Sequence, residues 1–297
     1  MDQIKSSRLT SNSVVENPIF ILGHWRSGTT FLHNLICQDH NTAFTTTYQS
    51  VFPNNLFAFQ SIIKWFMRMA LPEKRPGDGL PLRVNQPQEE EFALGNEISY
   101  SYYYWFYFPN QAKHFRDIHF SGKQIPTKKA EQWKNNYMNF VKRCLVNSKG
   151  KTFVSKNPPN TARIPWLLEL FPDAKFIFIH RDPYDVFRSS KKFFSEVIKP
   201  LQFQSFTEEQ LDEHILSGYV ELHDAYFESR ELIPKENLIE LSFESLAHDP
   251  YGLLKEISNQ FGVPDIDKNS TSFRDYITSQ QKHKPSPYSR DSTLDKK

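Results

Sequence analysis

The sequence is poor in cysteine, and it has no large excess of charge of either sign. Only two of its 297 residues are cysteines, Cys37 and Cys144. Two cysteines at this spacing can form neither a disulfide framework nor a cysteine-based zinc site. The 36 basic residues nearly balance the 34 acidic residues, which argues against a broad basic surface for nucleic acid. We therefore predict no cysteine-based metal site and no nucleic-acid partner.

Long hydrophobic runs are also missing. The most span-like segment, residues 56–71, is interrupted by Lys64 and Arg68 and is shorter than the about 20 apolar residues of a membrane helix. Residues 1–17 are polar and lack the apolar stretch of a signal peptide. The sequence therefore predicts a cytoplasmic protein without stable membrane insertion. Residues 56–71 are predicted either as a buried amphipathic helix or as a helix that contacts a membrane surface or an apolar acceptor.

Short apolar runs alternate with segments of helical periodicity along the chain. Because strands that alternate with helices indicate βαβ units, we predict a mainly parallel sheet in a single domain over residues 1–297. Within it, residues 1–17 are predicted to be flexible and residues 265–297 to be a loosely held tail. Strands are predicted at residues 18–22, 152–155, 175–180 and 238–241, with a further possible strand at 43–47. Helices are predicted at residues 30–37, 57–69, 88–96, 129–148, 161–171, from 183, at 208–229 and at 250–262.

The turn after the first predicted strand has the composition of an anion-binding loop. Residues 23–30 are Gly-His-Trp-Arg-Ser-Gly-Thr-Thr, and Gly23 and Gly28 have the spacing of P-loop glycines. Such a loop can point its N–H groups at an anion, and the following helix N-terminus adds its dipole. Thr29 stands where nucleotide triphosphatases carry lysine, and the fixed positive charge is instead Arg26. The loop therefore predicts a phosphate cradle without the magnesium-linked lysine.

A second polar turn follows the strand predicted at residues 175–180. Arg181 lies at the carboxyl end of that strand, and Ser189 follows eight residues later in the next predicted helix. Arginine grips phosphate with forked, charge-assisted hydrogen bonds, and serine adds a hydroxyl donor. Ligands of parallel sheets bind at the carboxyl ends of the strands. An alternative interpretation pairs Arg181 with a neighbouring aspartate and leaves Ser189 on the helix surface.

Five ordered segments resemble the motifs of one enzyme family. Residues 20–35 resemble the 5′-phosphosulfate loop of sulfotransferases that use 3′-phosphoadenosine-5′-phosphosulfate (PAPS), most closely the bacterial-type branch with an Arg-Ser-Gly-Thr-Thr core. Residues 180–190 resemble the family's 3′-phosphate motif, including its Arg-to-Ser spacing. Residues 155–163, 87–94 and 243–250 resemble the segments Lys-Ser-Pro-Pro-His-Thr-Ala-Arg, Pro-Gln-Glu-Asp-Glu-Phe-Ala-Leu and Glu-x-Leu-x-x-Asp-Pro. Because five motifs in one order are specific, the chain is identified as a member of this family.

The resemblance implies both a fold and an activity. The fold is of the α/β, P-loop type, with three layers and a mainly parallel central sheet flanked by helices. The activity is transfer of a sulfuryl group from PAPS, without a metal ion, to a hydroxyl or amine of a small, possibly apolar acceptor. The 5′ end of the donor is expected at Arg26, Ser27, Gly28, Thr29 and Thr30, and its 3′-phosphate at Arg181 and Ser189.

Sulfuryl transfer places further demands on the site, because the leaving oxygen must be stabilised and the acceptor must lose a proton. We predict Arg26 beside the bridging oxygen and Lys156 within reach of the sulfuryl group. Glu89 and Glu91, at the start of the helix predicted at residues 88–96, are the preferred candidates for the base. The other candidates are Glu90, His24, His33 and His180. An alternative is that the glutamates form only a solvated, acidic first helical turn.

An aromatic run at residues 100–108 holds eight aromatic side chains in nine positions. It is predicted either as a core segment or, together with residues 57–67, as the wall of an acceptor pocket. Two other functions remain open on sequence alone: a P-loop kinase or nucleotide triphosphatase, and a non-catalytic nucleotide-binding protein. The identity of the acceptor and the oligomeric state cannot be predicted.

Overall fold

A computed structural model describes residues 6, 8–75, 79–98, 100–120 and 125–281. In this part of the chain five strands form one sheet in the order β2-β3-β1-β4-β5, and every neighbouring pair is parallel. The strands are β1 (Ile19–Leu22), β2 (Thr42–Ala43), β3 (Thr152–Lys156), β4 (Lys175–His180) and β5 (Leu238–Ser242). The sheet therefore has β1 at its centre, and the loop that follows β1 emerges between the ends of β3 and β4.

Helices connect the strands. The α-helices are α1 (Thr29–Ile36), α2 (Thr47–Val51), α3 (Gln60–Ala70), α4 (Glu90–Glu97), α5 (Ala112–His119), α6 (Thr127–Ser148), α7 (Ile164–Leu170), α8 (Pro183–Ile198), α9 (Glu208–Ser229), α10 (Phe243–His248), α11 (Pro250–Phe261) and α12 (Ile266–Gln281). Short 3₁₀ helices span Tyr102–Phe106, Pro109–Gln111, Pro158–Ala162, Arg230–Leu232 and Lys235–Asn237.

The two faces of the sheet bury different side chains, because successive residues of a strand point to opposite faces. Ile19 and Ile21 of β1 pack in a cluster with side chains of α1, α11 and α12, such as Leu35. Phe20 and Leu22 pack on the other face with side chains of α6, α7 and α9. The described residues thus form three layers, helix–sheet–helix, and the predicted fold class is confirmed.

Two local predictions differ from the structure. The possible strand at residues 43–47 is only Thr42–Ala43, because the Thr46 side chain and Gln49 form a capping box that begins α2. Residues 266–281 are not a loosely held tail, because they form α12 with Phe273 fully buried in the core. The remainder of that predicted tail, residues 282–297, lies outside the described residues. Among the described residues, no helix is long and apolar enough to cross a membrane.

Candidate active site

The loop between β1 and α1 passes close to two neighbouring segments. Gly23 and Gly28 both have positive φ, at 138° and 94°. A Cβ on Gly23 would lie 2.4 Å from the carbonyl oxygen of Ile179, and one on Gly28 would lie 2.3 Å from the ring of Phe243. Only glycine fits a backbone that is both left-handed and this crowded. The Gly23 N–H also donates to the hydroxyl of Thr161 at 2.8 Å, which fixes the start of the loop.

The two predicted phosphate-binding motifs meet in space. Arg26 Nε donates to Ser189 Oγ at 2.8 Å, although the residues are 163 positions apart in the chain. Arg181 Nη1 points at the carbonyl oxygen of Arg26 at 3.4 Å, and its guanidinium lies 4.6 Å from the centre of the Phe243 ring. Arg26, Arg181 and Ser189 therefore form one cationic site at the carboxyl ends of β1 and β4.

Arg181 also pairs with Asp185 at 3.2 Å, which is the rival interaction that the sequence left open. This pair does not use the whole guanidinium, because Arg181 Nε is buried without a hydrogen-bond partner among the described residues. An unpaired buried donor on a cation is unfavourable unless an anion accepts from it. The structure therefore leaves Arg181 both anchored and able to bind an anionic ligand.

A cavity of about 330 Å³ opens beside the loop. Its polar lining includes the loop residues Arg26, Thr29 and Thr30 together with Glu89, and also Thr47, Ser50, Arg75, Gln88 and Asn96. Apolar side chains line most of the remaining wall: Trp25, Val51, Leu71, Leu82, Phe92, Tyr103, Phe106, Pro158, Phe193 and Val197. Its volume is at the lower end of the roughly 300–1,000 Å³ that is usual for small-molecule sites. A chain end or small ring system fits such a space.

Glu89 lies on the cavity wall and is held from two sides. It is the N-cap residue of α4, and it accepts hydrogen bonds from Lys156 Nζ and from the hydroxyl of Tyr103. The Tyr103 hydroxyl in turn accepts from Trp25 Nε1 at 2.9 Å. Lys156 is almost fully buried, and burial lowers its pKa although the Glu89 carboxylate opposes this. Lys156 therefore contacts Glu89 and positions it.

The structure separates Glu91 from this cavity. Its fully buried carboxylate forms an ion pair with Arg163 at 2.7 Å and accepts from Asn157 at 2.9 Å. Burial alone would raise the pKa of Glu91, but the Arg163 guanidinium holds it at about 2. Glu91 thus ties α4 to the segment after β3, and this placement argues against its predicted role as a base.

Glu90 is buried on the sheet side of α4. Ser155 Oγ donates to its carboxyl at 2.8 Å, and its other oxygen has no partner among the described residues. Burial raises the pKa of Glu90 to about 8, so this side chain is mainly protonated at neutral pH. It contacts the core strand rather than the cavity.

The candidate histidines also lie away from the cavity wall. The imidazole of His24 lies 2.8 Å from the carbonyl oxygen of Trp25, and that of His33 lies 3.2 Å from the carbonyl of Val154. Burial lowers the pKa of each to about 3, so both are neutral. His180 is exposed at the end of β4.

Ser27, a predicted donor-binding residue, is buried inside the loop, with its N–H directed at the carbonyl of His24 at 3.2 Å.

The sequence did not single out Tyr103, Trp25 or Phe193. Tyr103 belongs to the aromatic run at residues 100–108, so part of the predicted pocket wall is present in the structure. The second predicted part, residues 57–67, is absent from the described lining of this cavity. The neighbouring residues Val51 and Leu71 line it instead.

The sequence and the fold have clear relatives. A sequence model described as "Sulfotransferase family" matches residues 18–267. The chain is 31% identical over 284 residues to omega-hydroxy-beta-dihydromenaquinone-9 sulfotransferase Stf3 of Mycobacterium bovis, and equally to that of Mycobacterium tuberculosis. This match covers 95% of the chain and 72% of each relative.

Two crystal structures have a similar fold. Sulfotransferase STF1 from Mycobacterium tuberculosis matches with a TM-score of 0.72 and 17% identity, over 92% of this chain and 75% of that one. Sulfotransferase STF9 from Mycobacterium avium matches with a TM-score of 0.68 and 18% identity, over 97% of this chain and 73% of that one. The arrangement of helices around the parallel sheet is therefore shared with these two proteins.

Proposed function

This chain belongs to the sulfotransferase family and is a sulfotransferase, and we propose that it moves the sulfuryl group of PAPS to a hydroxyl or amine of an apolar acceptor. One observation carries the proposal. The loop residues Arg26, Thr29 and Thr30, of which Arg26 is a cation, share a single cavity with Glu89, and most of the other lining residues are apolar. A charged donor end, a base and an apolar acceptor wall therefore lie together.

The donor fits the loop and the cationic site. A loop of this kind can direct its backbone N–H groups and the N-terminus of α1 at an anion, and the close approach of Phe243 leaves room only for glycine at position 28. Arg181 Nε, which has no hydrogen-bond partner in the described part of the chain, is a donor suited to a second phosphate. We assign the 5′-phosphosulfate end to Arg26, Ser27, Gly28, Thr29 and Thr30, and the 3′-phosphate to Arg181 and Ser189.

The reaction then follows from the positions of these groups. The acceptor oxygen forms a bond to sulfur as the bond from sulfur to the bridging 5′-phosphate oxygen breaks, and the bonding electrons stay on that oxygen. Arg26 stabilises the negative charge that develops there. Glu89 takes the proton of the acceptor, while Lys156 and Tyr103 hold its carboxylate in place. No metal ion is proposed, because the transferring sulfuryl group carries less charge than a terminal phosphate.

We propose an alcohol at the end of an apolar chain or ring as the acceptor. The side chains of Val51, Leu71, Phe92, Phe106 and Phe193 line the cavity and suit such a group. The mycobacterial relatives are named for a hydroxylated menaquinone derivative, which is an acceptor of this chemical type. An apolar amine of similar shape would present the same surface to the wall.

Calorimetric titration of the purified protein tests the donor assignment. Adenosine 3′,5′-bisphosphate is compared with ATP, each with and without magnesium. Tight binding of the bisphosphate that is unaffected by chelation of metal, with weak binding of ATP, supports the proposal. Magnesium-dependent binding of ATP without any response to the bisphosphate would overturn it.

A further inference from the structure

Helix α3 presents a row of large apolar side chains to solvent. Ile62, Trp65, Phe66 and Met69 follow a spacing of three and four residues, which places them on one helical face. Phe59, just before the helix, extends the row. These five side chains, which we call the α3 stripe, are between 53% and 66% exposed. Trp65 and Phe66 also contact each other, with ring centres 4.8 Å apart.

The α3 stripe is separate from the face by which the helix packs on the protein. Met67 is buried in the main core cluster, and Ile63 packs against that cluster. The helix therefore has an apolar face on each side, and its inner face already anchors it. A contiguous exposed apolar row on an anchored helix is unfavourable in water and marks an interaction surface.

The charge around the α3 stripe indicates what covers it. Residues 51–88 contain five basic and two acidic residues, and Arg68, Lys74 and Arg83 are exposed. A helix with exposed tryptophan, phenylalanine and isoleucine beside basic residues suits the boundary between anionic headgroups and acyl chains.

Helix α9 offers an internal contrast. It also exposes apolar side chains, among them Leu216, Val220 and Phe227. Its 22 residues, however, include seven acidic residues and neither lysine nor arginine. This face would be repelled by an anionic lipid surface, whereas the surface around α3 would be attracted to it.

Residues on both sides of α3 in the chain line the cavity. Val51 precedes the segment that leads into α3. Leu71 directly follows Ala70, the last residue of α3. Both side chains line the cavity, and Val51 is 45% exposed. The end of α3 is therefore joined directly to the wall of the apolar pocket.

We propose that α3 docks on membranes that contain anionic lipids, with the α3 stripe in the headgroup region, so that an apolar acceptor enters the cavity from the bilayer. The docking proposal is argued from the α3 surface alone and does not depend on the proposed function. The delivery of the acceptor rests on the proposed function. A second copy of this chain or a partner protein would be a different occupant of the same face.

Vesicle flotation of the full chain tests the docking. Vesicles of phosphatidylcholine alone are compared with vesicles that also contain phosphatidylglycerol. The Trp65→Ser/Phe66→Ser variant should lower the partition coefficient by about tenfold or more, because two large side chains no longer enter the interface. The matched control is Leu216→Ser/Phe227→Ser, which removes two comparably exposed side chains from α9 and should leave the partition coefficient unchanged.

Two further measurements use a charge-reversal variant and a water-soluble acceptor. Arg68→Glu should weaken binding to the phosphatidylglycerol vesicles but not to neutral ones. Turnover of a short, water-soluble alcohol should be the same in Trp65→Ser/Phe66→Ser as in the wild type, which shows that the variant is folded. Failure to bind vesicles in an enzyme that still transfers sulfuryl groups would remove the docking and leave the proposed function intact.

Two other results would also overturn the docking. One is an equal loss of vesicle binding in the α3 and α9 variants. That result would show that exposed apolar side chains promote vesicle binding wherever they lie on the protein surface. The other is a wild-type dimer in analytical ultracentrifugation that Trp65→Ser/Phe66→Ser dissociates, because the α3 stripe would then be covered by a second copy.

Discussion

Arg181 is the residue whose removal isolates the donor site most cleanly. Arg181→Ala should weaken binding of adenosine 3′,5′-bisphosphate by about 1.5–3 kcal/mol, which is the usual contribution of a hydrogen bond to a charged group. This corresponds to a rise in Kd of roughly 10- to 160-fold, measured by calorimetry. Arg188→Ala is the matched control, because Arg188 pairs with the same Asp185, at 2.7 Å. Equal affinities for wild type and Arg181→Ala would exclude Arg181 from the site.

Glu89 is the residue that we assign as the base. Glu89→Gln keeps the size of the side chain and one of the two oxygens that accept from Lys156 and Tyr103, but it cannot take a proton at neutral pH. We expect kcat to fall by about 10²- to 10⁴-fold, with bisphosphate affinity unchanged.

The neighbouring Glu90→Gln is the control for Glu89. It changes a buried carboxyl that contacts Ser155 rather than the cavity, so kcat should stay within a few-fold of the wild type. Steady-state kinetics of both variants show whether Glu89 or Glu90 is the base. The same loss in both, or a loss only in Glu90→Gln, would contradict the assignment of Glu89.

The sequence could predict which loop residues line the cavity better than it could choose among the candidate bases. Arg26, Thr29 and Thr30 occupy a loop whose spacing has a direct physical meaning, and the structure brings them to the cavity. Glu91 was an equal candidate with Glu89, because consecutive glutamates on a helix look alike in sequence. What distinguishes them is Arg163, which lies 72 positions away and pairs with Glu91. A partner at that separation cannot be found from local spacing.

At the level of elements, the junction of β1 and α1 depends on close packing. Gly28→Ala places a Cβ 2.3 Å from the Phe243 ring at a positive φ, so the loop or Phe243 must move. We expect the affinity for adenosine 3′,5′-bisphosphate to fall by tenfold or more, because the anion site is displaced. A tenfold fall is a loss of about 1.4 kcal/mol of binding free energy.

Gly262→Ala is the control for this prediction. Gly262, the C-cap of α11, has a similar φ of 72°, but among the described residues, apart from its chain neighbours, no atom lies within 4 Å of the new Cβ. Its backbone strain should cost about 1–2 kcal/mol of stability, with bisphosphate affinity unchanged. Urea unfolding and calorimetry separate the two effects. An unchanged affinity in Gly28→Ala would contradict the close-packed cradle.

Elements with strong patterns were predicted closely. Helix α9 has the predicted bounds, and β4 coincides with the apolar run at residues 175–180. Helix α5 (Ala112–His119) was missed because it is short, and charged residues and histidines take five of its eight positions. The 3₁₀ helix Tyr102–Phe106 was missed because a run of aromatic residues has no distinct period. Helix α12 was missed because its few apolar residues, such as Phe273, bury against α1 and α11, and only the folded chain shows this contact.

The stability of the whole molecule should depend on pH through Glu90. Burial raises the pKa of Glu90 from 4.5 to about 8. The neutral carboxyl is therefore favoured in the folded state, and its contribution to stability is full below pH 4.5. This contribution is lost as the pH rises to 8, at about 1.4 kcal/mol per pH unit.

Glu90→Gln removes that dependence. Its free energy of unfolding relative to the wild type should increase from pH 5.5 to pH 7.5 by an amount of order 2–3 kcal/mol. Urea unfolding of both proteins at the two pH values gives the difference. A constant difference between them would show that Glu90 does not carry a raised pKa in the folded protein.

The active site is a property of the whole chain, because its parts come from the loop after β1, the start of α4, the aromatic run and the turn after β4. The most direct test of the account is sulfuryl transfer from radiolabelled PAPS to primary alcohols of increasing chain length, with metal ions chelated. We predict transfer whose kcat/KM rises by up to about fourfold for each added methylene until the cavity is full. Absence of transfer to every apolar alcohol, together with transfer to a charged acceptor, would contradict it.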